Sequence, residues 1–242
     1  MPVTYPLSLP SSPAPKSTAF QLSAQAAFGI SPFTFKQQVQ THQGQMWTVD
    51  VTLPPMTRND AAAWTAFFTS LRGREGTFYL GDWDARAPRG NGGPPPASSI
   101  RVTAAADTRV TDTGDIRITA EGSGIPVFDT VGSPSVNLAG DRVIYTTGWG
   151  VSITGILLAG DYIQFHDGTQ QRLHMVVNDA SSDGSGDALL DIEPALRLDV
   201  ADLTPITITN TKGLFRMVTN DPGWRSGMAS IYNFTFVAQE AL

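Results

Sequence analysis

Apolar and polar residues alternate along three stretches near the start of the chain, at 19–22, 32–39 and 45–53. A period of two is typical of strands with one buried face, because successive side chains point to opposite sides of a sheet. Residues 42–44 fit the turn of a hairpin that joins the second and third stretches. The third stretch places four apolar residues on one face: Trp47, Val49, Val51 and Leu53.

One helix is predicted between Thr57 and Gly73. Thr57, followed by Asp60 three residues later, forms an incomplete capping box in which Asp replaces Glu or Gln. Glycine is typical of the residue that follows the end of a helix, and Gly73 fits this role. The positive charges of Arg72 and Arg74 beside it interact favourably with the partial negative charge at the C-terminal end of the helix. Apolar residues at helical spacing form one stripe: Ala61, Trp64, Phe68 and Leu71.

From residue 98 to residue 210 the pattern predicts short strands joined by turns rich in Gly, Asp, Ser and Asn. A last strand over 229–238 repeats the aromatic alternation of the first block. We therefore predict a mainly β fold with a minor α component. Its N-terminal part is a β-sandwich-like domain with one helix, completed by the C-terminal strand, and an inserted domain is β-barrel-like.

Glycine and proline mark the boundaries of these parts. The chain has 23 Gly and 17 Pro, an excess over average composition that suits many strands and turns. Clustered prolines predict an extended N-terminal arm over 1–17, either disordered or laid against a partner, and a linker near 88–96. The first domain then comprises 18–90 with 211–242, and the inserted domain comprises 98–210.

The charge and the cysteine content of the chain exclude several classes of protein. The formal net charge is −6, and three of the 16 basic residues are Lys. A nucleic-acid-binding protein normally carries a basic stripe, and none is present. No apolar run approaches the roughly 20 residues of a membrane span. The absence of Cys excludes disulfides and thiol catalysis, and the N-terminus does not resemble a secretion signal. We expect synthesis in a cytoplasm.

Two acidic segments are candidate cation or acid–base sites. Residues 179–187 place carboxylates at positions 1, 5 and 9 of a calcium-type loop and Gly at position 6, but Leu190 stands where a bidentate Glu belongs. A polar turn is the alternative. The second group is Asp161, His166, Asp167 and His174, and its spacing on strands does not bring the side chains together.

No catalytic or cofactor motif is found. The chain has no nucleophile elbow, P-loop or dinucleotide-binding glycine pattern, so we predict a protein that is not an enzyme, with no catalytic residue, cofactor or metal. Tryptophans in Gly- or Asp-rich surroundings can pack internally, contact a partner subunit or stack on sugars. The candidate interface residues are Trp64, Phe68, Trp83, Trp149 and Trp224.

An ordered series of segments resembles the tail proteins of long-tailed bacteriophages, in particular the distal tail protein or a related minor tail-tip protein. The segments extend over most of residues 45–241. They are LPPMTR at 53–58, AAAW at 61–64, FFTSLRGREGTF at 67–78, TGW at 147–149, LAGDYIQ at 158–164, DIEPALR at 191–197 and FVAQEA at 236–241.

The resemblance implies a structural virion protein without catalytic residues. Such proteins form hexameric rings that connect the tail tube to the tip or baseplate hub, with an N-terminal ring domain and an outer OB- or galectin-like β domain. The implied partners are copies of the chain itself, the tube protein and the hub proteins, and the implied location is the virion tail tip. The alternatives left open are a β module that binds host-surface glycans and a tail-associated hydrolase.

Overall fold

The computed structural model describes residues 3–92, 126–128, 137–167, 170–220, 224–226 and 231–242. Two compact units divide the chain: unit 1 is Met1–Asp84 with Lys212–Leu242, and unit 2 is Ala85–Thr211. The predicted mainly β fold is confirmed. The elements are β1 (Leu7–Ser8), β2 (Ser17–Ile30), β3 (Gln37–Thr52), α1 (Arg58–Ser70), β4 (Thr77–Leu80), β5 (Val127–Phe128), β6 (Val143–Thr147), β7 (Tyr162–Asp167), β8 (Gln170–Val176), β9 (Ala188–Glu193), β10 (Gly213–Met217), β11 (Trp224–Ser226) and β12 (Tyr232–Glu240).

The sheet of unit 1 joins both ends of the chain. Its strand order is β1-β4-β10-β12-β3-β2, and β11 pairs with β12. The C-terminal strand β12 lies between β10 and β3, antiparallel to both. Phe20 of β2 and Phe215 of β10 are three strands apart in this order, yet their ring centroids are 6.5 Å apart. Since neighbouring strands are about 4.8 Å apart, the sheet must curl toward the face that carries these rings.

Helix α1 covers the apolar face of this sheet. The predicted stripe is confirmed, because Ala61, Trp64, Phe68 and Leu71 are all buried. The Phe68 ring lies 5.1 Å from that of Phe236 on β12. Aromatic pairs of this kind add roughly 0.5–1.5 kcal/mol beyond their buried area.

The helix ends were predicted nearly correctly. Thr57 is the N-cap residue, but its hydroxyl donates to the Asp60 carboxylate at 2.9 Å and caps no backbone N–H. Gly73 follows the last turn with φ +69°, and a Cβ there would lie 2.9 Å from the backbone oxygen of Asn220. Glycine is therefore required at this position.

The predicted hairpin turn at residues 42–44 is wrong. Strands β2 and β3 form one long hairpin whose turn is at 31–36, where Phe35 N donates to Ser31 O at 2.9 Å. Residues 42–44 lie inside β3, at a shift in register: Ala24 pairs with Gln45, and Ala26 pairs with Thr41. The glycine-containing segment is thus a bulge in a strand.

Unit 2 contains a five-stranded sheet of order β5-β6-β9-β8-β7. The described strand pairs of this sheet are antiparallel. Buried and less buried residues alternate along β6 and β9, whereas three consecutive residues of β8 are buried. The described part of the predicted linker, up to Gly92, is bound to this unit, since Asn91 N and Gly92 N donate to Gly155 O and Ile156 O at 2.7 Å. Residues 93–96 lie outside the described residues.

The aromatic contact between α1 and β12 gives the first testable prediction. Replacing Phe68 by Ala should lower the free energy of unfolding of unit 1 by about 3–5 kcal/mol, because a buried ring is lost and a cavity remains. Urea unfolding followed by circular dichroism measures this. Asn59→Ala, at an exposed position of the same helix, should change it by less than about 0.5 kcal/mol. Equal effects of the two changes would contradict the packing described.

Candidate interaction surface

Among the described residues, no further strand pairs with the outer part of the β2–β3 hairpin. Strand β12 pairs with β3 only at Thr48–Thr52, whereas β2 and β3 pair with each other from Ser17 to the turn. We call residues 24–44 the ribbon. The ribbon contains seven residues of β2 and eight of β3. At about 3.3 Å per residue it extends roughly 23 Å, so it is a long two-stranded projection from the sheet.

The ribbon has an apolar face that nothing in the described chain covers. Paired residues of two strands point to the same side, and the pairs Phe28–Val39 and Ile30–Gln37 therefore share a face. Their exposed fractions are 65% for Phe28, 59% for Val39 and 48% for Ile30. An isolated two-stranded hairpin is marginally stable in water, and a contiguous exposed apolar face typically marks an interaction site.

The tip of the ribbon presents two aromatic rings to solvent. Phe33 is 91% exposed and Phe35 is 79% exposed. Phe35 adopts the left-handed backbone conformation, with φ +52°, and the turn is closed by Ser31 N donating to Lys36 O at 3.0 Å. A bulky residue at positive φ is uncommon and carries a conformational cost. Neither the exposure of these two rings nor the positive φ of Phe35 stabilises the fold of a single chain.

The charge distribution singles out the same region. The first 49 residues contain Lys16 and Lys36 and no carboxylate, so all 22 acidic residues lie between Asp50 and the C-terminus. Strand β2 pairs only with β3 among the described residues, and it contains neither a charged residue nor Pro. Natural edge strands are normally protected by such residues. The alternation of apolar and polar residues did not predict the ribbon, although 49 residues without a carboxylate were a signal in the sequence.

The aromatic residues predicted to form interfaces lie elsewhere. Trp64 and Phe68 are in the core of unit 1, and Trp149 is in the core of unit 2, where its Nε1–H donates to the Thr146 hydroxyl at 2.8 Å. These three side chains are therefore not available as surface contacts of the folded chain. Trp83 is half-buried. The side chain of Trp224 lies outside the described residues.

The acidic segment 179–187 forms a turn whose carboxylates have partners in the chain. Asp183 accepts hydrogen bonds from the backbone N–H groups of Asp187 at 2.9 Å and Ser185 at 2.8 Å. These bonds hold the pKa of the Asp183 carboxyl below its ordinary value. Asp179 accepts from Ala159 N, and Asp187 accepts from the Tyr145 hydroxyl. No group of three potential metal ligands converges within the described ranges.

Asp161 holds the connecting segment onto unit 2. It is 3% exposed, and its carboxylate accepts from Leu158 N at 2.8 Å, Arg89 N at 3.0 Å and Gly90 N at 3.3 Å. The Arg89 guanidinium adds an ion pair at 3.3 Å. A carboxylate is needed here because every group that faces it is a donor.

The two histidines of the second predicted group have different surroundings. His174 is buried, stacks on Phe165 with ring centroids 4.5 Å apart and lies 2.7 Å from Pro194 O through Nδ1. A carbonyl only accepts, so Nδ1 carries the hydrogen. His166 is exposed and contacts Gln171. The side chain of Asp167 lies outside the described residues.

Burial lowers the pKa of His174 to about 3. The hydrogen bond to Pro194 opposes this shift, whereas the nearby positive charges of Arg197 and Arg172 reinforce it. The imidazole is therefore neutral at physiological pH and serves as a packed aromatic side chain. It is not arranged as an acid–base catalyst.

Comparisons with known proteins assign no family to this chain. No protein-family model matches it, and a search of curated proteins finds no match. Among the described residues no helix is both long enough and apolar enough to cross a bilayer. The ribbon and the charge distribution are therefore the features of the molecule that bear on its function.

Asp161→Asn should lower the free energy of unfolding of unit 2 by about 2–4 kcal/mol. The amide presents an NH₂ group to backbone donors, and a buried charge-assisted network is lost. Hydrogen exchange of the β7 and β8 amides measures the effect in unit 2 itself. Asp199→Asn is the matched control, because Asp199 is exposed and accepts one backbone hydrogen bond, from Ala139 N. A loss as large for Asp199→Asn would count against the role of Asp161.

Unit 2 should lose stability in acid because of His174. Between about pH 6.5 and pH 3 the unfolded chain binds a proton at this residue and the folded chain does not, so the free energy of unfolding falls as the pH falls. The expected slope is roughly 1 kcal/mol per pH unit between pH 6 and pH 5. Urea titrations at several pH values should show a flatter dependence of the free energy of unfolding on pH for His174→Gln than for the unchanged protein. Identical slopes for His174→Gln and the unchanged protein would refute the assignment.

Proposed function

We propose that this protein is a structural component of a bacteriophage tail tip, a distal tail protein that forms a ring between the tail tube and the tip hub. The single observation that carries the proposal is the ribbon, a projection without carboxylates that has an uncovered apolar face and an aromatic tip. The ordered resemblance of the chain to phage tail proteins supplies the biological context. The ring, its six copies and the tube and hub partners are part of this proposal.

A second copy of the chain is the occupant that best suits the ribbon. The ribbon carries one charged residue with a described side chain, Lys36, whereas all carboxylates of the chain lie outside the first 49 residues. The remainder of another copy is therefore acidic and favours contact with a surface that has no carboxylate. An edge strand without charge or Pro can also accept main-chain hydrogen bonds from a neighbouring strand.

The two edges of the unit 1 sheet favour a ring over a symmetric dimer. One edge is the 14-residue strand β2, and the other is the two-residue strand β1. Because these edges differ, contact between the β2 edge of one copy and the β1 edge of the next is heterologous. Repeated heterologous contacts form a ring when the rotation between successive copies adds up to a full turn. Such a ring places the ribbon of each copy beside the opposite sheet edge of its neighbour, where its apolar face can be covered.

A glycan-binding module is less well supported than this assembly role. It would use loop tryptophans as stacking platforms, and Trp149, the tryptophan of unit 2, is 6% exposed. A tail-associated hydrolase would need converging acidic side chains. The carboxylates of 179–187 and Asp161 instead accept hydrogen bonds from their own chain. We therefore advance the structural role alone.

The tip of the ribbon provides the test of this proposal. The double variant Phe33→Ser/Phe35→Asn should reduce ring formation at least tenfold at a given protein concentration, because two exposed rings are lost from the contact. Asn tolerates the positive φ of position 35, so the variant should keep the circular dichroism spectrum and melting temperature of the unchanged protein. Light scattering and negative-stain imaging measure the assembly.

Leu203→Asn is the matched control. Leu203 is also apolar, 67% exposed and at positive φ, but it lies in unit 2. Rings with a central hole of tube width for the unchanged protein and for Leu203→Asn, but not for the double variant, support the proposal. If the protein stays monomeric at high concentration and with tube protein added, the proposal fails.

A further inference from the structure

The sheet of unit 2 has one face in the core and one face that is partly exposed. A buried cluster covers the first face and includes Ile144, Val176 and Leu190 of β6, β8 and β9. Successive residues of a strand point to opposite sides of a sheet, so the residues next to these point away from the core. Two of them are apolar and exposed, Val143 at 42% and Leu189 at 57%.

The register of the strands brings the residues on this side together. Val143 of β6 pairs with Asp191 of β9, and Val177 N, directly after β8, donates to Asp191 O at 2.9 Å. Leu189 pairs with Tyr145 two residues further along the same strands. We call these five residues the outer face of unit 2. A contiguous apolar patch on a surface typically marks an interaction site.

The same side of the sheet is negatively charged. It carries three carboxylates at alternate positions of β9 and directly before it, Asp187, Asp191 and Glu193. Among the described residues Glu193 forms an ion pair with Arg142, whereas Asp191 accepts from the neutral amide of Asn178 at 2.6 Å. The outer face therefore combines apolar side chains with a net negative charge.

The ribbon offers the complementary surface. Its apolar face is uncovered, it contains no carboxylate, and its one charged residue with a described side chain is Lys36. Charge complementarity steers two surfaces together and selects against contacts between like charges. The sizes also agree, because the ribbon is roughly 23 Å long and the three strands β6, β9 and β8 are about 10 Å across.

Unit 2 is connected to the sheet of unit 1 at the edge that a ring brings to the neighbouring ribbon. The chain leaves that sheet after β4 and returns at β10, and β4 pairs with the edge strand β1. In the proposed ring, the β2 edge of one copy carries the ribbon and contacts the β1 edge of the next copy. The ribbon is thus brought to the edge from which the neighbour's unit 2 extends.

We propose that the ribbon of one copy packs with its apolar face on the outer face of unit 2 of the neighbouring copy. This inference rests on the proposed function, because the ring supplies the neighbour. The contact covers Phe28, Ile30 and Val39 of the ribbon with the apolar residues of the outer face. It also brings the positive charge of Lys36 to a negatively charged surface.

The chain contains no Cys, so introduced cysteines can test the contact without competing thiols. Gln37 pairs with Ile30 and shares the apolar face of the ribbon, so Gln37→Cys leaves the apolar residues in place. One protein carries Gln37→Cys, and a second carries Val143→Cys and a different affinity tag. The two are co-expressed and treated with a short bismaleimide, and covalent heterodimers are measured on a denaturing gel. The matched control carries Val151→Cys in place of Val143→Cys, because Val151 is 63% exposed in unit 2 and lies outside its sheet.

The proposed contact predicts at least tenfold more heterodimer with Val143→Cys than with Val151→Cys. Light scattering on the same samples before crosslinking separates this inference from the proposed function. Rings without this difference overturn the contact and leave the ring standing. Specific heterodimers without rings support the contact and overturn the ring, and monomers without heterodimers overturn both. If only the double variant Gln37→Cys/Val143→Cys crosslinks, within one chain, the ribbon covers its own unit 2 and the contact between copies is overturned.

A pair of variants without Cys provides an independent measurement. Val143→Ser/Leu189→Ser should reduce ring formation at least fivefold at a given protein concentration, because the contact loses two apolar side chains. Both positions are exposed, so the melting temperature should stay that of the unchanged protein. Val151→Ser/Leu203→Asn is the matched control, since it also replaces an exposed Val and an exposed Leu of unit 2. Equal ring formation by the two double variants would contradict the contact.

Discussion

The packing of α1 against the curled sheet is the interaction on which the rest of unit 1 depends. Phe68 contacts Phe236 on the C-terminal strand, and Phe67 contacts Phe78 on β4, at centroid distances of 5.1 and 5.5 Å. The cluster therefore joins segments separated by more than 150 positions in the chain. The chain leaves this sheet after β4 to form unit 2 and returns to it at β10, and β4 and β10 are neighbouring strands.

The parts of the fold that repeat a simple period were predictable from sequence. The stripe of α1 and the buried face of β3 follow from spacing alone, since both periods report burial directly. The hairpin turn was not predictable in this way. Gly44 is a strong turn signal, but the chain turns at 31–36 with Phe35 at positive φ, and the glycine segment became a bulge. Local turn preferences do not reveal which of two candidate turns keeps the register.

The candidate sites show a similar limit. The acidic segment 179–187 has the spacing of a cation loop, but its carboxylates bind backbone and hydroxyl donors of the chain. Trp149 has glycine on both sides, which suggested an exposed loop, yet it is buried. Spacing gives the position of a functional group along the chain, but it does not show which other group forms a hydrogen bond with it or packs against it. The ribbon shows the reverse case. Its alternation of apolar and polar residues predicted a buried face, but no described part of the chain covers that face.

The residues that form the core of this chain differ from those that form its exposed apolar surface. The ribbon and the arm lie outside the core, so their apolar residues add little to the stability of a single copy and are free to serve contacts with other copies. A partner that binds the folded chain but not the unfolded chain stabilises the fold. Well above the dissociation constant, this stabilisation grows with the logarithm of the partner's concentration. In the proposed ring, the apolar face that costs solubility in the isolated chain would be covered and would add stability. A protein that worked as a monomer would gain nothing from retaining such a face, which is why the ribbon is better explained by assembly than by folding.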